Sequence, residues 1–246
     1  MSLAQHLLEL RRRLFWSAAA LLGGAVGGWF LAPFVMDVLR APVLEIAGTG
    51  REATLNFANV SSSFDLTLRV AVTVGVIVAS PVWLYQIWAF VVPALERREK
   101  AYAVGFVGAA LPLFVAGCWC GTYVLPSIVG VLTGFVAPED SSIIDATTYY
   151  DFVMKRMLAI GVAFVLPVFL VLLDFVGVVT ARTIIGGWRV AVISIVLFTA
   201  VATPAADVFS MFLLAVPMVV LYLLAAGVAG IHDWRAARRA AREGLS

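Results

Sequence analysis

Ser80–Lys100, SPVWLYQIWAFVVPALERREK, decides how the rest of the chain is read. It leaves a long apolar segment through Pro81, Trp83, Gln86 and Trp88, passes Pro93, and ends in Glu96, Arg97, Arg98, Glu99 and Lys100. That is the pattern of a membrane span delivering a charged hairpin to a water interface. A cluster of the same kind occurs once more, in HLLELRRRL at His6–Leu14. The two clusters are expected to form one docking surface.

Working outward, 63% of the 246 residues are apolar and 13% charged, and the mean hydropathy is +1.02. Soluble domains hold about 45–50% apolar and about 25% charged residues. The composition therefore excludes a soluble globular protein and predicts a polytopic membrane protein. With about 20 residues per span, the chain accommodates six transmembrane helices with short loops: an all-α fold forming a single integral domain over residues 1–246. The expected spans are 14–36, 64–90, 103–126, 152–173, 189–203 and 208–231. The first is a retained span and not a cleaved leader, because its apolar run exceeds an h-region of about 7–15 residues. Its Gly23, Gly24, Gly27 and Gly28 would permit close helix contact. Asp37–Ser63 is predicted to be a mixed loop, long enough for a short amphipathic helix or a cap over the bundle. Pro167 should kink the fourth span and face protein, where the freed carbonyl can be covered. The fifth span is short, about 20 Å of helix against a hydrocarbon core of about 30 Å, and only ThrProAlaAlaAsp, Thr203–Asp207, links it to the sixth.

Charge orients the chain. With both termini cytoplasmic, the inner segments hold twelve of seventeen basic residues and the outer segments nine of fifteen acids, so that the inner face carries +6 and the outer −4. Cys118 and Cys120 sit two apart, where helical side chains do not face each other. They read as small packing groups, and two thiols with two distant histidines do not make a metal set. No HExxH, GxSxG or phosphate loop is present, and the span middles are almost free of ionisable residues, which disfavours an ion pump. A secondary transporter or flippase for a small solute would need matching broken helices in two halves, and none is evident. An intramembrane enzyme lacks its nucleophile or metal. Catalytic, metal and cofactor sites and nucleic-acid partners are therefore not expected.

What remains is acids set among basic residues: Glu9 before Arg11–Arg13, and Glu96 and Glu99 around Arg97 and Arg98. Acids contribute little to topology, but a carboxylate held there can accept paired hydrogen bonds from a guanidinium. Together with FVLPV at Phe164–Val168 and TPAADVFSMFLLAVPM at Thr203–Met218, the two clusters make the chain resemble the TatC family, the polytopic receptor subunit of the twin-arginine protein translocase. The resemblance runs through nearly the whole chain in order. It implies a protein of a prokaryotic cytoplasmic membrane that binds signal peptides bearing consecutive arginines. With TatA-type or TatB-type single-span partners, in a homo-oligomeric assembly in the lipid bilayer, it would pass folded proteins outward using the proton motive force. It implies Glu9 and Glu99 as the arginine-recognition acids, shaped by Arg11, Phe90, Pro93 and Leu95. Pro42 and Phe64 correspond to family positions on the outer cap and the entry to span two, and Asp207 to the acid between spans five and six.

The chain also departs from the family. Val165 and Leu166 stand where many members carry Glu or Gln before the span-four proline, and Met211 and Leu223 occupy positions that are often polar. Contacts through span five would then rest on packing and on Thr199 or Thr203, leaving the choice between TatA-type and TatB-type partners open.

Overall fold

The computed structural model describes residues 3–47, 53–57, 59, 61–91, 100–123, 142–203 and 208–243. Its elements are α1 (Leu3–Ala47), β1 (Ala53–Asn56), α2 (Ser62–Val78), α3 (Ser80–Val91), α4 (Lys100–Tyr123), β2 (Ser142–Asp145), α5 (Ala146–Phe175), α6 (Ala181–Gly186), α7 (Trp188–Ala202) and α8 (Val208–Glu243). Among the described residues the regular structure is helical apart from β1 and β2, which pair in parallel from Ala53 opposite Ser142 to Asn56 opposite Asp145. This ribbon is an addition to the all-α expectation. Among the described residues four helices are long and apolar enough to cross a membrane, the bent pair α2–α3 passes the same test when taken together, and α7 is a shorter apolar helix.

Two expectations need correction. The segment after Asp37 is not a loop from its start, because α1 continues to Ala47 and its range takes in Pro42. Leu39 and Val43 are buried on that extension. The Tyr149 and Tyr150 hydroxyls donate to the Leu39 and Met36 carbonyls at 2.9 and 3.0 Å, tying the extension to α5. The second span is not one helix either: α2 and α3 meet at 57°. Pro81 has no N–H to return to the preceding turn and so breaks the ladder there. Trp83 Nε1 donates to the Val76 carbonyl at 2.9 Å, which satisfies a backbone group that the break exposes.

Glycine sets the closest packing. A Cβ on Gly28 would run into the Ala71 carbonyl, and one on Gly24 into the Gly75 backbone, so α1 and α2 cross antiparallel with backbone against backbone. Gly117 and Gly121 on α4 meet Gly161 and Met157 on α5 in the same way. Cys118 is buried and its sulfur lies against Gly161, and both thiols are free. The Phe106–Phe169 ring pair, at 6.4 Å, shows α4 and α5 to be antiparallel as well. Ile160 and Phe164 of α5 share a cluster with Leu214 and Met218 of α8, while Asp174 lies beside His232, so α5 and α8 run parallel. These directions gather the start of α1, the ends of α3 and α5, the start of α4 and the tail of α8 at one end of the bundle. The ribbon and the start of α2 lie at the other.

Candidate functional site

Glu9 projects from the first turns of α1, half-buried. Four residues along the same helix face, Arg13 bonds it through both Nη2 and Nε, the latter at 3.1 Å. Residues i and i+4 are helix neighbours, with the acid preceding the base in the favourable order. Arg13 Nη1 also donates to Gln86 Oε1 at 3.3 Å. Gln86 is on α3, opposite Arg13 in the same antiparallel register that sets Gly24 against Gly75 and Gly28 against Ala71. Glu9, Arg12, Arg13, Trp16 and Gln86 line an open depression of about 390 Å³. Its chemistry is a carboxylate and an amide oxygen presented to guanidinium groups beside an indole face.

Of the recognition residues read from the sequence, Arg11 is exposed on α1 and Phe90 half-buried near the end of α3. Glu99, Pro93 and Leu95 lie outside the described residues. Lys100, which follows Glu99, starts α4 at the same end of the bundle as Glu9. Phe64 belongs to the far end, 63% exposed, with its ring 5.9 Å from that of Trp29. Thr203 is buried and donates to the Thr199 carbonyl at 2.9 Å. Met211 is half-buried on α8, and Asp207 lies outside the described residues. Val165 is buried in a cluster with Trp88, Phe106 and Phe114, whereas Leu166 and Leu223 are each 56% exposed.

Arg12, Arg13, Trp16 and Gln86 were not among the expected site residues. The signal that could have found them is spacing: Glu9, Arg12, Arg13 and Trp16 recur at three and four, one face of a helix. Gln86 is the one amide in an otherwise apolar stretch from Pro81 to Val92. At the far end, Arg69 bridges Asp65 at 2.9 Å and Asp151 at 2.7 Å, an exposed ion network that joins α2 to α5.

The family model described as Sec-independent protein translocase protein (TatC) matches residues 5–217. The Sec-independent protein translocase protein TatC of Xylanimonas cellulosilytica is 45% identical over 242 residues, covering 98% of this chain and 88% of that protein. Its counterpart in Rothia mucilaginosa is 36% identical, with 98% and 83% covered. Among solved structures, the fold is similar to a crystal structure of a twin-arginine translocase receptor, TatC, with a TM-score of 0.73 and 29% identity, over 92% of this chain and 98% of that one. A crystal structure of a TatC receptor in DDM gives 0.75 and 28%, over 91% and 99%.

Proposed function

Because the chain belongs to the TatC family of Sec-independent protein translocase proteins, we propose that it is the receptor subunit that captures twin-arginine signal peptides at the end of the bundle where Glu9 lies. It is a protein-transport component of a membrane, not an enzyme, and a solute transporter is not favoured. In this reading residues 1–246 form one integral domain crossing the cytoplasmic membrane six times. The bent pair α2–α3 and short α7 each count as one crossing, and both termini are cytoplasmic. Glu9 and Glu99 receive the two arginines, with Arg11, Phe90, Pro93 and Leu95 shaping the patch. Pro42 and Phe64 serve the outer cap, and Thr203, Asp207 and Met211 serve contacts with TatA-type and TatB-type single-span partners. Several copies assemble, and the proton motive force drives export of folded cargo.

The observation that carries the reading is the Glu9–Arg13–Gln86 constellation. Glu9 already holds a guanidinium, and Arg13 has a second acceptor in Gln86. An arriving arginine takes the carboxylate while Arg13 moves its donors onto the amide, so a charged partner is exchanged and no carboxylate is left bare. Arginine suits this exchange better than lysine, since its planar fork makes two directed bonds and it stays charged. Exposed ion pairs contribute only about 0–1 kcal/mol each. Firm capture therefore also needs the apolar part of the signal lying along the exposed apolar face of α1, which includes Phe15 and Leu22.

The test is export of a twin-arginine substrate, together with crosslinking of its signal peptide to residues 80–100. Glu9→Ala and Glu99→Ala should each abolish export and crosslinking while the protein remains inserted. Glu99→Gln should keep part of the activity and Glu99→Lys none. Normal export in both alanine variants would overturn the assignment.

A further inference from the structure

At the same end of the bundle, but on other helices, a second polar constellation takes no part in this reading. α5 ends in a turn closed by Gly177, at φ +77°, where the Gly177 amide returns to the Asp174 carbonyl and the Val178 amide to the Leu173 carbonyl, both at 2.9 Å. This is the left-handed helix stop that glycine supplies. Thr180 then caps α6, and Tyr222 of α8 donates to the Ile184 carbonyl of α6. The turn and α6 are thus held against α8, and Asp174 is brought beside His232 and Asp233.

Asp174 is 3% exposed and neither of its carboxylate oxygens receives a well-formed hydrogen bond, although the Ala181 amide and His232 both lie close enough to act on its charge; His232 Nδ1 is buried and likewise without one. The Ala181 amide, close by, is directed to Asp233 Oδ2 at 3.0 Å. His232 Nδ1 stands 3.4 Å from Asp174 Oδ2 and 3.8 Å from Asp233 Oδ1, and one donor atom from each of the three residues falls within 4.8 Å of the others. A charge-assisted N–H···O bond would be about 2.7–2.9 Å. Two donors bound to one tetrahedral ion at about 2.0–2.2 Å stand about 3.3–3.6 Å apart. The observed separations match the second geometry better. A buried carboxylate without hydrogen bonds is costly unless a cation meets it.

We propose that Asp174, His232 and Asp233 bind one divalent transition-metal ion of the zinc class. An imidazole with two carboxylates suits such an ion, whereas magnesium and calcium take oxygen alone. The Ala181 amide orients Asp233 as an outer partner does in metal sites. The Phe175 ring, 4.3 Å from the imidazole, walls one side. His232 and Asp233 are partly exposed, which leaves water access for a further ligand. The ion would pin the α5 turn to α8 where that helix passes into its basic tail. Thiols and histidines alone make no metal set in this chain; here the carboxylates supply most of the donors, and Asp174 lies 58 residues from His232.

The test uses the full chain, purified in detergent without a polyhistidine tag, stripped with chelator and dialysed against ZnCl2. One zinc per chain is expected, with a rise in thermal stability on adding zinc. Asp174→Asn and His232→Gln each remove a direct ligand and should lose stoichiometric zinc binding and the zinc-dependent rise, while His6→Gln, at the chain's other histidine, retains both. Cobalt titration of the unmodified chain should give the visible absorption of a low-coordinate ion, which needs no variant to fold. No zinc retained by the unmodified chain, zinc binding undiminished in His232→Gln, or binding lost in His6→Gln would each overturn the proposal. Loss of zinc binding with signal-peptide capture intact separates this site from the Glu9 patch.

Discussion

The α1–α2 crossing and the α7–α8 hairpin treat the membrane in opposite ways. Around Gly24, Gly28 and Gly75 two backbones touch, and no side chain fits between them. On α7, Val190, Ile193, Leu197 and Val201 turn outward, between 63% and 80% exposed, and Thr199 satisfies its own hydroxyl on the Ile195 and Val196 carbonyls at 3.0 Å. Lipid is as apolar as leucine, so helices in a bilayer gain little by hiding apolar side chains from it, and association relies on close packing. The lesson is that an exposed apolar face carries no penalty on α7, whereas a single added carbon on α1 does.

The largest effect expected is therefore from Gly28→Leu, which must push α1 off α2. Overpacking costs about 1–3 kcal/mol and occasionally more, and here the obstacle is rigid backbone. Gly23→Leu and Gly27→Leu, one residue away but facing open space, should leave the protein folded. Thermal unfolding in detergent reads the contrast, and equal losses at Gly23 and Gly28 would break it. Next comes Val165→Glu, which puts a carboxyl among Trp88, Phe106 and Phe114 and should cost about 1–3 kcal/mol even if the group stays protonated. Unchanged stability there would mean that the family's usual polar position is still open to water in this chain.

A smaller change is expected at Asp145, which caps α5 by accepting the Thr148 amide at 2.7 Å. Hydrogen bonds from Thr148 hold its carboxyl below the ordinary value. Its contribution is therefore present above the ordinary carboxylate value of about 3.9 and lost as pH falls through the depressed one. The stability gap between the unmodified chain and Asp145→Ala should close on acidification. The smallest effect is Val201→Ala on α7, within about 0.5 kcal/mol. If it instead impairs export, the exposed face is a partner contact and not only a lipid surface.

Much of this was legible in the sequence, and the gaps have physical causes. Apolar run length exposes a helix that must satisfy its own backbone in lipid, so the long helices could be read one by one. Pro81 was visible, but a proline early in a helix is compatible with continuation or with a break, and only the packing of Trp83 onto Val76 shows which. Pro42 and scattered charge after Asp37 suggest irregular chain, yet α1 runs on to Ala47. The partners that keep α1 helical, Tyr149 and Tyr150, arrive from more than a hundred residues away.

The sequence by itself determined the membrane class, the helical character, the acid-in-base clusters and the resemblance to one family. These depend on composition, period and motif, which are local properties of the chain. Tertiary structure alone decided that Arg13 reaches Gln86 on α3, that glycines from α1 and α2 share one crossing, and that Asp174 meets His232. Each of those joins residues whose separation along the chain says nothing of their distance in space, because the route between them is set by how whole helices pack.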